Sequence, residues 1–127
     1  MQIDKGILPM VEVMNATGFM QTCSSCQGHS KGIHRLPYVS FYCRQNEIRK
    51  LSIILDNASV ELEEIGAPFS IDCCLVFSPD IGDNTLDAKL GWAVFNISPI
   101  EDKGFRMKKT DKEIFILVIA NAIIDSL

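Results

Sequence analysis

Apolar residues in this 127-residue chain switch repeatedly between helical and strand spacing, and that alternation restricts the fold more than any other feature. Ile7, Met10, Val11 and Met14 fall at i, i+3, i+4 and i+7, with Pro9 in the first turn and Gly18 past the end. This predicts a short amphipathic helix over about residues 7–16. Residues 19–23 read as a short strand, and residues 36–43, entered through Pro37 and rich in aromatic and β-branched side chains, as a second. Asn46 is placed to cap a helix in which Ile48, Leu51, Ile54 and Leu55 share a face, ending near Asn57.

Residues 60–65 and 69–78 read as strands around Gly66-Ala67-Pro68, close enough to form a hairpin. Residues 79–89 read as a loop, 90–98 as a strand and 99–109 as a charged connection. The middle of the C-terminal segment is rich in Ile and Val and would suit a strand. Thr110-Asp111-Lys112-Glu113 matches a capping box, however, and favours a helix over about residues 111–125. The resulting order, α-β-β-α-β-β-β-α, predicts an α+β fold: a single domain over residues 1–127 with a mainly antiparallel mixed sheet and three helices.

Composition narrows the partners. The net charge is -4 and no Lys/Arg run exceeds Lys108-Lys109, so a broad footprint for duplex nucleic acid is not expected. Local basic patches remain around Lys31, His34 and Arg35, and around Arg106, Lys108 and Lys109. The longest apolar run, residues 114–120, extends only to Ile124 if Asn121 is allowed, short of the roughly 18 residues that a membrane span needs. The N-terminal residues lack a secretory pattern, and five cysteines is an odd count, so a cytoplasmic protein with reduced thiols is expected.

The densest chemistry lies in residues 22–29, which hold two thiols, three hydroxyls, an imidazole and a glycine and read as a polar loop between two strands. Three kinds of chemistry fit. Thr22, Ser24, Ser25, Cys26, Gly28 and His29, with Tyr38 on the next strand, could cradle a polar or nucleotide-like ligand on hydroxyls and backbone amides. Cys26 could act as a thiolate with His29 as its base, which makes these two the catalytic candidates. Cys23, Cys26, His29 and His34 could hold zinc in an interaction module, although all four lie within twelve positions, unlike standard frameworks. The residues leave these readings open, and with them whether the chain is an enzyme.

Residues 15–29, Asn-Ala-Thr-Gly-Phe-Met-Gln-Thr-Cys-Ser-Ser-Cys-Gln-Gly-His, resemble the segment of the tRNA wybutosine-synthesis methyltransferase family that leads into Ser-Ser-Cys-Ser-Gly-Arg. Asn15, Phe19, Thr22, Ser24, Ser25, Cys26 and Gly28 correspond, and His29 stands where the family has arginine. The chain is also similar to small phage- and plasmid-encoded proteins of unknown function carrying Ser-Cys-x-Gly-His and then Pro-Tyr-Ile-x-Phe, a role filled here by Pro37-Tyr38-Val39-Ser40-Phe41. The resemblance implies S-adenosylmethionine as cofactor and a modified tRNA nucleoside as substrate. Its arginine would offer a bidentate phosphate donor that His29 does not. The glycine-rich fingerprint of a doubly wound fold is absent from the sequence.

Outside this segment, Trp92 suits either the core or a stacking role, and Tyr38 and Tyr42 share a strand face. Asp80, Asp83 and Asp87 lack EF-hand spacing and read as a solvated loop. Glu61, Glu63 and Glu64 read as a strand's wet face, and at least one of Cys73 and Cys74 as a buried small hydrophobe.

Overall fold

A strand sequence with one apolar face must bury that face, and the computed structural model shows how this chain does so across residues 3–28, 36–76, 91–101 and 104–127. In chain order these residues form α1 (Leu8–Ala16), β1 (Met20–Cys26), β2 (Tyr38–Arg44), a 3-10 turn (Gln45–Glu47), α2 (Ile48–Glu64), β3 (Phe69–Leu75), β4 (Trp92–Glu101) and α3 (Lys109–Ser126). The strands make one antiparallel sheet in the order β1-β2-β4-β3. Val39, Phe41, Cys43 and Ile97 point to its apolar face and join Met10, Met14, Leu51, Ile54, Phe115 and Ile119 of the helices in one core. The predicted α+β class, with three helices on a mainly antiparallel sheet, therefore holds.

Two interior positions show why the register is what it is. Val39 pairs with Ile97, so β2 starts opposite Ser98. Pro99 lies one residue further along β4, on the side where β2 has not yet begun, so its missing N–H costs no ladder bond. Phe41 stacks on Phe95 with ring centroids 6.1 Å apart, and Phe69 meets Phe115 edge-on at 6.3 Å, locking β2 to β4 and β3 to α3.

Some expected elements differ. Residues 60–65 are not a strand, and the hairpin with residues 69–78 does not exist; α2 runs on to Glu64. Leu51, Ile54, Ala58 and Leu62 are all buried, continuing one helical stripe through the segment, while Glu61, Glu63 and Glu64 are exposed. Gly66, at φ 71°, then turns the chain toward β3. Asn46 lies inside the 3-10 turn, and Glu47 occupies the N-cap position of α2 without a side-chain cap bond. The capping unit of α3 is displaced: the Asp111 carboxylate accepts the N–H of Lys108 at 2.8 Å, and Thr110 and Glu113 lie within the helix. The loop expected over residues 79–89 lies outside the described residues, as do residues 77, 78 and 90 of the flanking strands.

The α1–β1 corner is held by side chains. Thr17 Oγ1 accepts the N–H of Phe19 (3.2 Å) and of Met20 (3.0 Å) and donates to Met14 O at 2.8 Å, around Gly18 at φ 80°. Asn15 Oδ1 accepts the N–H of Thr22 at 2.8 Å, while Asn15 Nδ2 donates to Thr22 Oγ1 at 3.0 Å. An edge-strand amide is thus satisfied by the last turn of α1. Replacing Asn15 by Ala should destabilise the protein by about 1 kcal/mol in urea unfolding, the usual size for lost hydrogen bonds at a part-exposed site. Thr22→Val should cost a similar amount, and the double variant less than the sum, because both remove the same pair.

Cys43 and Cys73 line the apolar face of β2 and β3. Burial, reinforced by Glu47, pushes the Cys43 thiol up to about 11. Burial also pushes Cys73 up to about 11, with Cys74, Asp72 and Cys43 adding to it. These thiols stay protonated in the folded state above the pH at which unfolded thiols ionise, so the unfolded chain binds fewer protons there and stability falls as pH rises. The contribution is intact below pH 9.0 and is lost progressively toward about 11. Chemical denaturation across that range should show the fall, and Cys43→Ala/Cys73→Ala should flatten it.

Candidate functional site

The hydroxyl-rich segment is mostly strand. β1 continues to Cys26 because Thr22, Ser24, Ser25 and Cys26 pair in turn with Phe41, Ser40, Val39 and Tyr38. Cys23 is the extra residue of a bulge between Thr22 and Ser24. The expected polar loop therefore starts only at Gln27.

Pairing sends these side chains in different directions. Thr22 is held by Asn15. Ser24 lies on the sheet face away from the helices, where its hydroxyl meets the Tyr38 hydroxyl at 3.2 Å beside the Ser40 to Asn96 bond at 2.9 Å. Ser25 sits opposite the buried Val39. Cys26, at the end of β1, is buried, and the Gly28 N–H points to its sulfur at 3.4 Å. Gly28 has φ 85°, a conformation that costs a residue with a Cβ roughly 1–2 kcal/mol.

Gln27 clamps this strand end to the N-terminal segment. Its N–H donates to Asp4 Oδ2 at 3.3 Å and its side-chain Oε1 accepts the Gly6 N–H at 2.6 Å. A Cβ on Gly6 would come within 2.5 Å of that Oε1, so glycine permits the close approach. His29 and His34 lie outside the described residues, as do Lys31, Arg35, Asp80, Asp83 and Asp87.

The most informative residue is one that motif reading passed over. Lys112, in the first part of α3, is only 4% exposed. Burial and then the nearby Arg106 guanidinium lower its pKa from 10.5, while Glu101 and Cys26 pull it back up. Lys112, Arg106, Glu101 and Cys26 therefore share one electrostatic neighbourhood where β1 and β4 end and α3 begins. The Glu101 carboxylate also accepts the Met107 N–H at 2.5 Å, folding the connection before α3 back onto β4. A sequence signal existed: Lys112, Phe115, Ile116, Ile119 and Ile123 fall at i, i+3, i+4, i+7 and i+11, and all are buried. The lysine occupies a core position of an otherwise apolar stripe.

The other candidates are placed as follows. Cys23 is exposed whereas Cys26 is buried, and burial raises the Cys23 thiol, offset in part by a backbone bond from Ser24. A raised thiol is a poor nucleophile and a poor metal ligand at neutral pH. Among the described residues there is no group of three or more His, Cys, Asp or Glu side chains that could hold a metal ion. Trp92 is half-buried on the open sheet face, with the Arg44 guanidinium 4.5 Å from its ring centroid, and Tyr42 is buried on that face. Cys74 is exposed and Cys73 half-buried. No helix among the described residues is long and apolar enough to cross a membrane. Comparison with protein-family models, with curated proteins and with solved structures finds no match for this chain.

Proposed function

We propose that this protein binds a small polar, nucleotide-like anion where β1 ends, around Cys26 and Gly28. The observation that carries this reading is the burial of Lys112 beside Cys26, with Arg106 as a second cation. A buried ammonium costs folding free energy, and with the Arg106 guanidinium nearby a bound anion would offset that cost. Thr22 holds the strand, while Ser24 and Tyr38 offer hydroxyls from the neighbouring sheet face. S-adenosylmethionine shares the nucleoside and offers a carboxylate, although its sulfonium makes it a net cation, and methyl transfer of the wybutosine type is the reaction that ligand would imply. Five free cysteines fit a reducing, cytoplasmic setting.

Titration calorimetry and thermal shift with inorganic phosphate, AMP, S-adenosylmethionine and its demethylated product test this. At least one should raise the melting temperature at millimolar concentration, because a ligand of the native state stabilises it. Lys112→Met, which keeps the length of the side chain without its charge, should bind that ligand at least tenfold more weakly while remaining folded. Affinity in the native protein should fall with rising pH before 10.5, as Lys112 loses its proton early. Equal binding by Lys112→Met, or no response to any of the four ligands, would overturn the reading.

A further inference from the structure

Helix α2 carries two apolar stripes, and the core uses one of them. Leu51, Ile54, Ala58 and Leu62 are buried in the core. On another side of the helix Ile53 and Val60 are 52% and 51% exposed. Lys50, Asn57 and Glu64, also exposed, complete a line at positions 50, 53, 57, 60 and 64, the alternating spacing of three and four that makes a coiled-coil seam. The groove beside β3 is bordered by Ser52, Asp56 and Ser59, so the seam is not part of it. The helix and the chain on both sides of it, residues 36–76, are described throughout.

Single exposed aliphatic residues are ordinary on a protein surface; the charges around these two are what carry information. Arg49 and Lys50 stand at the N-terminal end of the seam, and Glu61, Glu63 and Glu64 at its C-terminal end, all exposed. Reversing the seam about Asn57 lays it on itself with opposite charges in register. Ile53 then falls on Val60, Arg49 and Lys50 fall on Glu63 and Glu64, and Asn57 falls on Asn57. A two-fold axis performs that reversal, because in an isologous contact residue i meets j while j meets i. A partner of uniform charge would be repelled at one end. A polar residue in the middle of a seam also fixes register, since any slip sets its amide against an aliphatic side chain.

Helix α3 carries a similar exposed line. It packs against α2, and Phe69, just past the end of α2, meets Phe115 near the start of α3, so one helix ends where the other begins. Ile114, Leu117 and Ile124 are exposed on it, with Leu117 at 52%. Reversal of this helix likewise sets Ile114 opposite Ile124.

We infer that the exposed seam of α2 is a self-association surface, occupied by the antiparallel α2 of a second copy of this chain related by a two-fold axis. Ile53 of each copy packs on Val60 of the other. Arg49 and Lys50 pair with Glu63 and Glu64 at both ends, and the two Asn57 side chains meet at the axis. This contact does not involve Lys112 and stands whether or not an anion binds beside it.

Analytical ultracentrifugation of the full chain under reducing conditions, in a dilution series reaching millimolar protein, tests this. The expected result is a reversible monomer–dimer equilibrium that weakens as salt is added, because the charged pairs lie at the rim of the contact. Ile53→Asp should weaken the dimer at least tenfold, since each substitution enters a two-fold contact twice. Arg49→Glu/Lys50→Glu and Glu63→Lys/Glu64→Lys should each do the same. All four charge substitutions in one chain put opposite charges back in register and should return the dimer to within about threefold of wild type. An equimolar mixture of the two double variants should form mixed dimers, which decides the matter if the fourfold variant does not fold. Circular dichroism checks folding, because Lys50 also lies 5.3 Å from the Phe19 ring centroid. A monomer at every concentration, or a dimer indifferent to Ile53→Asp, would overturn the proposal. So would a folded fourfold variant that does not regain association, since the charges would then not face each other across the axis.

Discussion

Among the described residues the helices cover one face of the sheet only, and the rest of this structure depends on that constraint. All the described helices contribute to a single core with Val39, Phe41, Cys43 and Ile97, and α3 packs against both α1 and α2. A helix in that position is enclosed on several sides, which is why Phe115, Ile116, Val118, Ile119, Ala120, Ala122 and Ile123 are all buried. Enclosure extends to the first part of the helix and takes Lys112 out of water with it. The opposite sheet face must then be compatible with solvent, and Ser24, Tyr38, Ser40, Asn96 and the Arg44–Trp92 pair meet that need by bonding to one another.

How much of this was legible in the sequence depended on whether the controlling interaction was local. Helix α1 and strand β2 were readable because Met10, Val11 and Met14, and then Val39, Phe41 and Cys43, carry clean periods of 3.6 and 2. Residues 60–65 were misread as strand because Val60, Leu62 and Ile65 lie between glutamates and mimic alternation. Their helical state rests on Ala58 and Leu62 extending the stripe begun at Leu51. The Ile- and Val-rich stretch of α3 has poor helix propensity, and tertiary enclosure outweighs it. The site followed the same division. Residues 22–29 were found by composition, but their partition between sheet faces was set by a bulge and by pairing with β2. Lys112 acquires meaning only when β1 and β4 end beside it.

Both distinctive features of the surface run against stability. Desolvation and a neighbouring guanidinium leave Lys112 less able to hold its proton than a lysine in water, and an apolar residue would extend its stripe with less strain on the core. A strand whose one charge is Asp72 and whose Leu75 is exposed carries a risk of pairing with other chains. Departures from the locally consistent choice concentrate where a protein has a use for them. Here they fall at two separated places, the ends of β1 and β4 beside α3 and the outer edge of β3.

That separation has a physical consequence. The Lys112 neighbourhood is anchored by side-chain bonds to rigid elements: Gln27 to Asp4 and Gly6, Glu101 to Met107, Asp111 to Lys108. The side chains of that neighbourhood are thereby held in place by the fold. Among the described residues, β3 has no comparable side-chain network and is ordered by its ladder to β4 and by the apolar packing of Phe69 and Ile71. The two ends reach each other through β4, because Glu101 closes the Lys112 neighbourhood and is also the register partner of Phe69, the first residue of β3. The Phe69–Phe115 contact lies beneath that pair.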